Sequence, residues 1–133
     1  MSRNDKSVSV IDPDGNHPSL PMIEGDGIAL ALVWPGIGAR SRSMHRISLR
    51  PSARTIPLAH PMEAVYYVMS GTAEVLDPET GTTQFAEPGS MIFVEPSTTY
   101  VISADGEAVE LVGGPCPPDP ELYRKIDQAG PSR

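Results

Sequence analysis

A chain of 133 residues can bury a core of its own and is too short for two ordinary domains. Twelve glycines and fifteen prolines, about a fifth of the chain, exclude a bundle of long helices, because proline interrupts the helical hydrogen-bond ladder. Ten basic against seventeen acidic residues leave a net charge of −7, the wrong sign for gripping phosphate backbones.

Nucleic acid is therefore not an expected partner. Nor is a membrane, since no apolar run approaches the ~20 residues of a span. Cys116 stands alone and closes no internal disulfide, and residues 1–20 lack the apolar stretch of a secretion signal. The expected location is the cytoplasm.

Residues 1–20 are polar and broken by Asp12-Pro13-Asp14-Gly15 and His17-Pro18, so they read as a flexible arm or as a segment ordered only by docking on a partner. Residues 21–118 change character. The run IALALVW (28–34) ends at Pro35-Gly36. MHRISLR (44–50) alternates, with His45, Ile47 and Leu49 on one face and Arg46, Ser48 and Arg50 on the other. EAVYYVM (63–69) and TAEVLD (72–77) form a hairpin candidate about Ser70-Gly71. TTQFA, SMIFVE, TYVISA and AVELVG follow, separated by Glu87-Pro88-Gly89, Pro96 and Asp105-Gly106, the last ending at Gly114-Pro115. Turn signals every 8–12 residues predict an all-β sandwich or barrel. Its core is expected from Ile47, Leu49, Val65, Val68, Val75, Ile92, Val94, Ile102, Leu111 and Val112. Residues 119–133 predict one short helix and a tail, with Asp119 as N-cap, Pro120 at the first helical position, and Leu122 and Ile126 sharing a face.

Two stretches carry a family pattern. Pro51-Ser52 through Pro57-Leu58-Ala59-His60, Glu63-Ala64 and Gly71 resembles the first motif of the cupin family: PG, a proline, H-x-H, a Glu three or four residues on, then Gly. Pro88-Gly89-Ser90-Met91-Ile92-Phe93-Val94-Glu95-Pro96 through Tyr100 resembles the second. The resemblance implies a double-stranded β-helix, a jelly-roll barrel that commonly pairs into homodimers. It also implies a divalent metal (Fe, Zn, Mn or Ni) held by three His and one Glu. Those four positions are Leu58, His60, Ala64 and Tyr100 here, so the expected metal site is degenerate and no cofactor is the first expectation. A remnant set of His60, Glu63 and Tyr100 needs an irregular strand to turn Glu63 inward, since it alternates with Ala64. A looser similarity to ectoine synthase, a cupin enzyme that closes a ring by eliminating water, runs through Glu63-Ala64-Val65-Tyr66, Glu74-Val75 and Pro117-Pro118.

On that alignment His60 and Tyr100 look into the barrel as a candidate acid/base pair, and Leu58, Ala64, Tyr66, Ile92 and Ile102 are expected to wall an apolar pocket. Arg46 and Arg50, if their face turns inward, would clamp a carboxylate or enolate. Two functional classes follow. One is an isomerase, cyclase or lyase acting on a small organic metabolite by acid/base chemistry. The other is a non-catalytic barrel that binds a small ligand or serves as an accessory subunit. Oxygen chemistry needs an iron site that the matched positions do not supply.

Overall fold

The computed structural model describes residues 7–129; residues 1–6 of the predicted arm and the tail beyond 129 lie outside the described residues. Among the described residues, ten strands form two antiparallel five-stranded sheets. The first sheet takes β2 (Gly27–Val33), β3 (Met44–Leu49), β10 (Val109–Cys116), β5 (Glu63–Ser70) and β8 (Met91–Val94), in that order. The second takes β1 (Ile23–Glu24), β4 (Arg54–Thr55), β9 (Val101–Ala104), β6 (Ala73–Asp77) and β7 (Thr82–Ala86). Two inner faces packed on one another make the core, as the period-2 pattern requires. Ile47, Leu49, Val68, Ile102 and Leu111 are fully or almost fully buried in it, with Ile92 and Val94 nearly so.

The hairpin expected at Ser70-Gly71 is replaced by a crossing between sheets. β5 pairs with β10 and β8, whereas β6 pairs with β7 and β9. Gly71 makes the crossing in the left-handed region (φ +75°), tucked so tightly that a Cβ there would lie 2.0 Å from the Ala108 carbonyl oxygen. The true hairpin is β6–β7, registered Ala73↔Ala86 through Asp77↔Thr82. Gly114-Pro115, read as a strand end, lies inside β10. Val65 and Val112 are corrected too: Val65 sits on the exposed face of β5, and Val112 is only partly buried beside Arg46 and Tyr67.

The arm has no regular structure over residues 7–17, but its end docks: Pro18 and Leu20 pair with the β2 backbone, and Leu20 is buried. After β10, Asp119 caps a 3₁₀ turn (Pro120–Tyr123) by accepting the Glu121 N–H at 3.1 Å. That turn runs into the helix α1 (Arg124–Ala129). Leu122 and Ile126 pack on the core as their spacing predicts. No helix among the described residues is long and apolar enough to cross a membrane.

Candidate active site

His60 lies in the extended segment between β4 and β5, stiffened by Pro57 and Pro61. Leu58 and Tyr100 exchange reciprocal backbone hydrogen bonds of 2.9 and 2.8 Å. The Ser97 N–H donates to the His60 carbonyl at 2.6 Å. These bonds lash the segment across the barrel to the stretch before β9, which carries Tyr100. Tyr66 comes from the inner face of β5 and Asp119 from the cap of the C-terminal turn.

The four side chains form one buried line. His60 Nδ1 is 2.7 Å from Asp119 Oδ2, His60 Nε2 is 2.7 Å from Tyr100 Oη, and Tyr100 Oη is 2.7 Å from Tyr66 Oη. The partners assign the protons. A carboxylate only accepts, so His60 Nδ1–H donates to Asp119; with His60 as the neutral imidazole, Nε2 accepts the Tyr100 O–H and Tyr66 O–H donates to Tyr100 Oη. Burial, above all, pushes both phenol pKa values well above the ordinary tyrosine value, so the resting hydroxyls are neutral. Tyr100 is the member of the line that lies on a cavity wall. That cavity, about 540 Å³, opens between the edge strands β7 and β8; Val75, Ala86, Ile92 and Val94 are among its apolar walls.

Of the residues expected at the site, His60, Tyr100 and Tyr66 come together, and Ile92 lines the cavity. Leu58, Ala64 and Ile102 are core residues rather than cavity walls. Arg46 and Arg50 are corrected. The buried face of β3 is His45, Ile47 and Leu49; Arg46 is on the other face, paired with Glu110 at 3.0 Å, and Arg50 is exposed past the strand end. Glu63 is corrected as well, because β5 alternates regularly from its first residue and leaves Glu63 exposed. The positions left to a divalent ion do not fit one. Both ring nitrogens of His60 are already hydrogen-bonded, Ala64 offers no donor, and Glu63 faces away. Among the described residues no group of three His, Cys, Asp or Glu converges.

Asp119 was missed as a site residue. Its sequence signal, Asp-Pro before a helix, was read as a cap; the cap uses Oδ1, and Oδ2 was free for His60. His45, on the inner face of β3, is fully buried with Nε2 2.7 Å from Tyr123 Oη, while Nδ1 has no partner among the described residues. Burial first, and then the nearness of His60, lower its pKa to about 4. The unfolded chain therefore binds one more proton than the folded one between about pH 6.5 and 4. The contribution of His45 is complete above pH 6.5 and is lost as the pH falls toward 4. Denaturant unfolding at pH 7.5 and 4.5 is expected to show about 2–3 kcal/mol more acid destabilisation in the native chain than in His45→Gln. Equal losses in both would remove the argument.

No family model matches this chain, and no curated protein matches it by sequence. Solved structures do match. A cupin-like protein from Thermotoga maritima superposes with a TM-score of 0.66 at 17% identity, over 83% of this chain and 80% of that one. A predicted oxalate decarboxylase from the same organism gives 0.66 at 18%, over 81% and 99%. The polyketide cyclase RemF from Streptomyces resistomycificus gives 0.64 at 18%, over 87% and 82%. At such identities the likeness is one of fold. The fold is the double-stranded β-helix of these cupin-like structures, as the two sequence motifs implied.

Proposed function

We propose that this chain is a small-molecule enzyme that moves protons without a metal, in the isomerase, cyclase or lyase class. The observation that carries the reading is the buried Asp119–His60–Tyr100–Tyr66 line with Tyr100 on the wall of a cavity of mixed polar and apolar lining. A neutral phenol is a poor base by itself. Tyr100 Oη becomes effective when it accepts a substrate proton while its own O–H passes to His60 Nε2. The imidazolium so formed lies against the Asp119 carboxylate, which stabilises it as the acid does in a Ser-His-Asp triad. Return of the proton to a different substrate atom completes an isomerisation; return to a departing hydroxyl releases water and completes an elimination or ring closure. The cyclase among the fold neighbours is consistent with this class.

The test is proton exchange at carbon. The purified protein is incubated in D₂O with a library of small enolisable carbonyl compounds, and deuterium uptake is read by mass spectrometry. Uptake into one compound class is expected, falling about 10²-fold or more in Tyr100→Phe and His60→Gln. A protein that binds members of the library in the cavity yet exchanges none of them is a binding barrel, the second functional class.

We also propose that two copies pair through the outer face of β5 and β8. There Val65↔Phe93 and Tyr67↔Met91 stand opposite one another and remain exposed, Phe93 at 58%. A contiguous apolar patch of this kind is covered most simply by its own copy about a two-fold axis. Light scattering is expected to give twice the chain mass, and Tyr67→Glu to halve it; a monomeric native chain at micromolar concentration ends this proposal.

A further inference from the structure

We infer that the cavity takes an uncharged or cationic molecule with an apolar body and a hydrogen-donating end (a hydroxyl or an ammonium group) and turns away carboxylates and phosphates. The inference rests on the site proposed above and adds the chemistry of its ligand. The only charged side chains among the described cavity residues are Asp77 and Glu95, both carboxylates. None of those residues is Arg, Lys or His. Three arginines are engaged elsewhere: Arg46 with Glu110, Arg54 with Glu24 and Arg124 with Glu121. An anion entering this cavity therefore loses water, meets no counter-charge and is repelled by the rim.

The direction of the hydrogen-bond line makes the same selection at the inner end. With His60 as the neutral imidazole, Tyr66 donates to Tyr100 and Tyr100 donates to His60, so the Tyr100 proton is engaged within the line and is not offered to a ligand. The acceptors on the cavity wall, Asp77 and Glu95, are satisfied by a ligand O–H or N–H and by no carboxylate. The rest of the wall is mixed, with Thr82, Gln84, Ser90, Thr98 and Thr99 on it, and its apolar part, Val75, Ile92 and Val94, rewards an apolar ring or chain. This excludes the reading that arginine clamps an anionic substrate in the barrel, since Arg46 and Arg50 lie outside it.

Four probes sharing one ring system test the inference by calorimetric titration at pH 7.5: 2-naphthol, 2-naphthylmethylamine, 2-methoxynaphthalene and 2-naphthoate. The naphthol and the amine are expected to bind at least tenfold more tightly than the naphthoate, with the methoxy compound between them because it has the ring but no donor. Asp77→Asn with Glu95→Gln is expected to narrow the gap between amine and naphthoate at least threefold. Ala86→Trp, which fills the cavity, is expected to abolish binding; Thr99→Trp on the half-buried wall serves the same purpose if Ala86→Trp does not fold. Naphthoate binding as tightly as naphthol, binding of none of the four, or binding unchanged by the tryptophan variants overturns the inference. Affinity and proton exchange are separate readouts. Exchange of an anionic compound would refute this ligand class and leave the acid/base reading standing, while selective probe binding with no exchange would do the reverse.

Discussion

Asp119→Asn is expected to lower carbon-bound proton exchange by about 10³-fold or more while leaving the chain folded. The two functions of Asp119 separate in this variant. Asparagine caps a helical turn as well as aspartate does, so the bond from the Glu121 N–H survives and stability changes by less than about 1 kcal/mol. The second oxygen, 2.7 Å from His60 Nδ1, is where the charge matters. An amide in its place removes the counter-charge for an imidazolium and allows the opposite tautomer, with Nε2–H now donating toward Tyr100. The phenol then has no acceptor for its proton. Exchange rates of native chain and variant, read with the melting temperatures of both, decide the matter. A folded Asp119→Asn protein that exchanges at the native rate removes the relay. Asp119→Ala differs in kind: it also leaves a buried His60 N–H unsatisfied, and both stability and rate are expected to fall.

Gly113→Ala is expected to destabilise the fold by on the order of 3–5 kcal/mol, lowering the melting temperature by roughly 10 °C or more. Strand propensity alone argues the other way, since alanine in place of an interior glycine gains about 0.5–1 kcal/mol of chain entropy. Sterics win here. At φ +156° a Cβ on Gly113 would lie 2.0 Å from the Val65 carbonyl oxygen and 2.6 Å from the Tyr66 Cα, both backbone atoms that cannot rotate away. β10 would have to leave β5 at the register position of Tyr66, so the hydrogen-bond line should break with the sheet. Gly89→Ala is the control. It also has positive φ, at +93°, but nothing lies within 4 Å of its would-be Cβ, and a loss of only about 1–2 kcal/mol is expected. Thermal melts of the two variants side by side check the difference, and equal losses would show that backbone conformation, not the close approach of β5, sets the cost.

The alternation of MHRISLR and EAVYYVM separates His45, Ala64 and Tyr66 from Arg46 and Glu63, and packing turned the first set inward and the second outward. The same periodicity cannot say which strands pair. That is why the Ser70-Gly71 turn looked like a hairpin: a two-residue turn and a crossing between sheets use the same glycine. Leu58 sits opposite Tyr100 as the family alignment implied, but it spends its side chain on the core, so alignment located the position and packing assigned its use.

The eight longer strands, the all-β class and the acidic charge were legible in local pattern, period-2 hydrophobicity and turn residues, and two spaced motifs aimed His60 and Tyr100 inward; the two-residue strands β1 and β4 carry too few residues to show a period. Only the tertiary structure decided that Asp119, 59 residues from His60, completes the line, and that the arginines stay outside. A hydrogen bond of 2.7 Å depends on how two sheets and a C-terminal turn close in space, and nothing in the neighbouring sequence of either residue encodes that distance.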